Sequence, residues 1–243
     1  MLQAALNNAR LELQRSVTKL ALAGVAAGIT MGSTGLGVAS VRALIGAEGW
    51  PELVSYFAYP LGFIAVIIGR AQLFTENTLY PAVLVLDEHR HLKRVLRMGG
   101  VVFLANVFGA WIFDLLTAKT PALRPDILSH LVQLGVNASA GPAKHIFWSG
   151  VIGGWIIALV AWTVTASHWT IGQLAVINFL TFIVGIGRFA HCVASSCEIL
   201  TAVEFGSVSP LTLFQWLLPA TMGNVCGGVF IVSLLNYGQV RAS

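Results

Sequence analysis

Six apolar runs dominate the chain, near 19–40, 53–86, 97–117, 145–167, 172–204 and 211–236. Each reaches the roughly 20 residues that a helix needs to cross the hydrocarbon layer. In that layer the backbone must satisfy its own hydrogen bonds, which limits spanning structures to helices and closed barrels, and continuous apolar runs fit helices. The expected fold class is therefore an all-α polytopic membrane protein with six transmembrane helices. Composition agrees, because only 10% of the 243 residues are charged, against about 25% in an average soluble domain. Residues 1–18, MLQAALNNARLELQRSVT, are polar and amphipathic. They read as a short helix lying on the membrane surface and not as a cleaved leader. Residues 19–236 then form one membrane domain, and 237–243 a tail.

Basic residues give the expected orientation. Arg10, Arg15, Lys19, Arg90, Lys93, Arg94, Arg97 and Arg241 fall on one side, and Arg42, Lys119, Arg124 and Lys144 on the other. The richer side belongs in the cytoplasm, with both termini. The net charge of +4 is thereby accounted for without a nucleic-acid partner.

Two further arginines fall inside the apolar runs, and they expose an internal repeat. A single offset of 118 residues places Gly69 on Gly187, Arg70 on Arg188, Asn106 on Asn224 and Gly109 on Gly227. Each half holds three runs, an odd number, so the second half enters the membrane from the opposite face. That is an inverted-topology repeat, 3+3, a plan in which binding sites form near mid-membrane where interrupted helices meet.

The block GRAQLFTEN (69–77) interrupts the second run in this way. Helix broken at depth must be buried in protein or line a wet cavity. Half-helices starting near Thr75 or Glu76, and near Ser195 or Ser196, then aim their positive ends at the centre, which favours an anion or a polarised oxygen. The buried charges Arg70 and Arg188 need partners. Glu76 and Glu198 are the candidates, either crossed as Arg70 with Glu198 and Arg188 with Glu76, or within one segment. Alternatively, Ser195-x-x-Glu198 is a capping box and Glu76 a first-turn acid.

Three short stretches together resemble the formate/nitrite transporter family: LFT (73–75), FAHCVASSCE (189–198), and GN followed by small residues at 223–228. The resemblance covers about residues 20–236, and GRAQLFTEN is similar to the family's YfdC-like branch. It implies an aquaporin-like protomer in a homopentamer, each protomer with its own pore for small monovalent anions or their neutral weak acids. It also implies a threonine and a histidine facing each other between apolar constrictions, here Thr75 and His191, beside Leu73 and Phe74. Asn224 and Ser195 are the polar neighbours, and His191 assists as a proton relay. The sequence departs from the family pattern at Ala190, where a glutamate is usual, and at Ser195 and Gly154, where asparagines are. Ala138 falls near an expected lysine, with Lys144 the nearest candidate. A non-conducting sensor or scaffold, its pore closed by Arg/Glu pairs, is the alternative.

Other features read as structural. Gly24, Gly28 and Gly32, and Gly150, Gly153 and Gly154, suit close helix packing. Trp148, Trp155, Trp162 and Trp169 recur every seven residues. The outer two suit the membrane interfaces, and the inner two a seam toward lipid or another protomer. Asp114 falls near Lys119. The three cysteines, Cys192, Cys197 and Cys226, read as small apolar packing groups. No catalytic motif is present. His191, Cys192, Cys197 and Glu198 straddle the expected interruption, so no metal, cofactor or enzyme chemistry is expected. The expected setting is the bacterial inner membrane, with lipid as the surrounding partner.

Overall fold

The computed structural model describes residues 2–167 and 169–241. Met1 and the last two residues of the expected tail lie outside them. Among the described residues there is no strand. The chain runs through α1 (Leu2–Leu13), α2 (Val17–Ile45), α3 (Trp50–Ser55) and α4 (Pro60–Ile68), then α5 (Tyr80–Glu88) and α6 (Leu92–Ala118). It continues through α7 (Pro125–Ser139), α8 (Ala143–Val164), α9 (Thr170–Ile186), α10 (Ala194–Glu204) and α11 (Pro210–Cys226). A π-helical stretch, Gly227–Leu234, leads into α12 (Leu235–Arg241).

Among the described residues, five helical segments are long and apolar enough to cross a membrane: Val17–Ile45, Trp50–Ile68, Leu92–Ala118, Ala143–Val164 and Pro210–Gln239. The apolar run at 172–204 is divided between α9 and α10, and Thr170–Ile186 is the shorter apolar piece.

Small residues decide which helices meet. A Cβ on Gly28 of α2 would stand 2.2 Å from the carbonyl oxygen of Asn106 in α6, and one on Gly109 of α6 would stand 2.3 Å from that of Val25. In α8 and α11 the same contacts recur: 2.2 Å from Gly154 to the oxygen of Asn224, and 2.1 Å from Gly227 to that of Val151. Without side chains between them the two backbones of each pair touch directly. The first helices of the two halves correspond at an offset of 126, since Val25 and Gly28 match Val151 and Gly154.

Two elements carry contacts that the sequence does not reveal. The connection at 118–144 contains α7, whose buried Leu131, Leu134 and Gly135 pack on α10 and α2. The amphipathic α1 packs on α5, with Leu6 and Ala9 buried among Leu79, Tyr80, Val83 and Leu84. The tryptophan series also splits. Trp148, Trp155 and Trp169 are exposed, whereas Trp162 is buried in the cluster beneath α1.

Arg10 fastens α1 to the end of α5, its Nε donating to Glu88 Oε1 at 2.9 Å. Arg90 Nε donates to Glu88 Oε2 at 2.6 Å, and His91 Nε2 lies 3.0 Å from the same oxygen. Led by the Arg90 bond, these contacts hold the Glu88 carboxyl down at about 2. A depressed carboxyl contributes stability that is fully present above its ordinary value of about 4.3 and is lost as pH falls through about 2. A spin-label distance between α1 and α5 should therefore hold from about pH 8 to about pH 5, and lengthen in Glu88→Gln.

Gly227→Ala should lower thermal stability in detergent by about 1–3 kcal/mol, the usual cost of overpacking. Gly238→Ala, where a Cβ meets nothing within 4 Å, should leave the melting temperature unchanged or slightly raised.

Candidate pore site

The site is built from two irregular segments, 69–75 after α4 and 187–193 after α9. Both helices end alike. Arg70 N donates to Ile67 O and Ala71 N to Val66 O, while Arg188 N donates to Gly185 O and Phe189 N to Val184 O. This is the Schellman closure, which puts one residue in the left-handed region, usually glycine. Here the residues are Arg70, φ 54°, and Arg188, φ 49°. A side chain costs about 1–2 kcal/mol in that conformation.

Two asparagines hold the irregular segments in place. Asn106 of α6 accepts from Phe74 N at 2.8 Å and donates to the carbonyls of Gly24 and Gln72, both at 2.8 Å. Asn224 of α11 accepts from Cys192 N at 2.8 Å and donates to Gly150 and Ala190, both at 2.8 Å. Both are fully buried. A buried, unpaired amide or carbonyl costs about 1–3 kcal/mol, and each asparagine removes two such groups from its irregular segment. Asn224, expected beside the pore, is thus a backbone clamp, because both ends of its side chain amide are taken.

Held in this way, the segments bring together the two residues expected to meet. Thr75 Oγ1 and His191 Nε2 lie 2.8 Å apart, both buried. His191 Nδ1 accepts from Ala194 N at 3.1 Å, which leaves the ring proton on Nε2 and makes the histidine the donor to Thr75. Phe63 stands edge-on to the imidazole at 5.1 Å, and Leu73 is fully buried. Phe74 packs against Phe103, with centroids 5.0 Å apart.

A cavity lies on each side of this pair. The α1-side cavity, about 510 Å³, is lined by Glu12, Arg15, Arg70, Gln72, Glu76 and Asn77 among others. The α7-side cavity, about 300 Å³, is lined by His145, Ser149, Arg188, Ala190, Ser195 and Glu198 among others. Chain neighbours of Thr75 line the first and those of His191 the second. The pair itself lines neither.

This division corrects the crossed ion pairs. Arg70 and Glu76 share one cavity, and Arg188 and Glu198 share the other, so the centre separates each crossed couple. Arg188 instead pairs with Glu52 of α3. Glu52 also binds Arg42 at 3.3 Å, and Arg42 lies over the ring of Tyr56 at 5.1 Å. Nor does a capping box form. Val193 caps α10, Ser195 is already inside it, and Ser195 N bonds to His191 O. Thr75 makes no side-chain cap; its carbonyl accepts from Thr78 Oγ1 at 2.7 Å, and its hydroxyl faces His191. Lys119 pairs with Glu204 and not with Asp114. The sequence reading missed Glu52 and Arg42, whose only signal is charge inside or beside an apolar run.

The family model for the formate/nitrite transporter matches residues 1–238. The chain is 32% identical to the inner membrane protein YfdC of Escherichia coli (strain K12), over 95% of this chain and 74% of the relative. It is 28% identical to a probable formate transporter of Methanothermobacter thermautotrophicus, over 78% of this chain and 75% of that one. Among solved structures, one described as an FNT family ion channel superimposes with a TM-score of 0.83 at 18% identity, covering 100% of this chain and 98% of that one. A pentameric formate channel with formate bound gives 0.78 at 19% identity, covering 93% and 98%.

Asn224→Ala strands the Cys192 N–H and the Ala190 carbonyl. It should cost about 2 kcal/mol or more, read as a lower melting temperature in detergent, and Asn106→Ala should do the same. Asn224→Asp keeps the acceptor and should fall between.

Proposed function

Because the chain belongs to the formate/nitrite transporter family, whose members are transporters and channels rather than enzymes, we propose that it passes small monovalent anions, or their neutral weak acids, across a membrane. It works as a homopentamer with one pore in each protomer. The polypeptide crosses six times in a 3+3 inverted repeat whose second and fifth crossings are interrupted. The charge distribution supports cytoplasmic termini, which makes the α1-side cavity cytoplasmic and the α7-side cavity external.

The observation that carries this reading is the Thr75–His191 hydrogen bond of 2.8 Å between two cavities. A bare ion faces a large desolvation cost at an apolar closure, which a neutral acid avoids. An anion that displaces the bond meets two donors at once, Thr75 O–H and His191 Nε2–H. Basic groups at the mouths raise the local anion concentration.

In the relay reading, His191 gives its Nε2 proton to the anion and regains one at Nδ1, which requires Ala194 N to let go of that nitrogen. A second reading follows from that bond, 3.1 Å long: His191 remains neutral and serves only as a donor. The two separate in flux measurements on proteoliposomes from about pH 5 to about pH 8, where an unperturbed histidine titrates. Under the relay, His191→Asn abolishes the acceleration of weak-acid flux at low pH while the oligomer survives. Under the donor reading, the pH profile keeps its shape at a lower rate, and Thr75→Val lowers the rate similarly. Wild-type protein that passes no formate, nitrite, acetate, lactate or hydrosulfide overturns the transport proposal in favour of a closed sensor or scaffold. A stable monomer by native mass spectrometry overturns the pentamer.

A further inference from the structure

The two cavities carry related sets of charge. Arg188 and Glu198 line the external one, and Glu52 and Arg42 join that set through the ion pairs of Glu52; Arg15 and Arg70, Glu12 and Glu76 line the cytoplasmic one. In each set one carboxylate is engaged. Glu52 holds both Arg42 and Arg188, and Glu12 holds Arg15 at 2.8 Å. The other carboxylate, Glu198 or Glu76, makes no ion pair or hydrogen bond among the described residues. Glu198 is 7% exposed, and its carboxyl packs over Gly35, where a Cβ would meet Oε1 at 2.9 Å. Both carboxyl-bearing residues line their cavities.

A path for anions is an unexpected place for two unengaged carboxylates. When they are ionised they offset part of the attraction that the arginines of each set exert on an arriving anion. When one carries a proton that offset is lifted, and the proton lies on the wall that the anion passes. We propose that Glu198 and Glu76 are the proton-loading groups of the external and cytoplasmic cavities. Each hands its proton to an entering weak-acid anion before the anion meets the central closure. The step is a plain proton transfer. The O–H bond of the protonated carboxyl breaks, an O–H bond forms on the anion, the carboxylate remains, and water on that side supplies the next proton. On the far side the neutral acid returns its proton to the other carboxylate or to water.

Position supports the assignment. Ser195 and Glu198 stand three residues apart on α10, and Ser195 N bonds back to the carbonyl of His191. Ser195 and Glu198 both line the external cavity, and so does Ala190, the chain neighbour of His191. Glu76 directly follows Thr75 and lines the other cavity. The ionisable groups around Glu198 are Arg42 of α2, Glu52 of α3, Tyr56 and Tyr59 between α3 and α4, Asp114 of α6, and His145 of α8. Arg188 after α9 and Cys197 of α10 complete the set. Those around Glu76 are Glu12 and Arg15 of α1, Arg70 after α4, and Tyr80 of α5.

The inference rests on the transport reading, and side-specific acidification separates the two. With the full-length protein oriented in proteoliposomes, formate flux is measured while external or internal pH is lowered alone. Glu198→Gln should lose the stimulation by external acid and keep that by internal acid, and Glu76→Gln should do the reverse. Retention of both responses in both variants overturns proton loading while leaving transport intact. Absence of formate flux in the wild type counts against the transport reading instead. Infrared difference spectra of the wild type then read the carboxyls directly, whether or not the variants assemble. Protonated carboxyl bands that disappear on alkalinisation support the assignment, and their absence throughout the titration overturns it.

Discussion

A backbone amide or carbonyl removed from water must find a partner, and a chain that leaves its helix in the middle of a packed bundle exposes several at once. Asn106 and Asn224 meet that requirement at equivalent places, each reaching from the third helix of its half into the irregular segment of the same half. Each also reaches the helix that begins its half, at Gly24 or Gly150. Glycines at those contacts bring the helices close enough for an amide only two carbons long to span the gap. Irregular segment, first helix and third helix are therefore fixed as one unit in each half, and the Thr75–His191 contact is where the two units meet.

Much of this was legible in the sequence because repetition is visible without coordinates. The Gly-Arg pairs and the two asparagines kept a common spacing, and the threonine and histidine lay on the segments so marked. Ion pairing was harder. The offset made crossed pairs between Arg70, Arg188, Glu76 and Glu198 attractive, but sequence gives no indication of which side of a central closure a side chain occupies. Glu52 lies before its apolar run and carries no motif, so its hold on Arg188 depends on how α3 folds over the end of α9. The backbone role of Asn224 was not legible for a related reason. An asparagine near a proposed pore can serve the solute or the backbone, and only its hydrogen bonds distinguish these. α7 was missed because residues 118–144 are too polar to read as a span.

The arginines in left-handed conformation bear on function as well as fold. Glycine would close both helices at lower cost, so the positive side chains at the two cavity walls are kept against a local penalty. With the unengaged carboxyls of Glu76 and Glu198 they give each vestibule a charge that one proton can change. In the proposed mechanism, attraction and proton supply reside in the cavities, and the centre has only to offer two hydrogen-bond donors in an apolar surround.

Everything above turns on a neutral His191, held by clamped irregular segments as donor to Thr75. Nitrogen NMR of histidine-labelled protein in lipid bilayers, with His191→Asn to assign the signal, tests it most directly. The spectra should show a protonated Nε2 and an unprotonated Nδ1 at neutral pH, with Nε2 in dipolar contact with the Thr75 side chain at a distance consistent with 2.8 Å, and loss of that contact in Asn224→Ala. A His191 ring that is doubly protonated, or protonated only at Nδ1, or that shows no contact with Thr75, would contradict it.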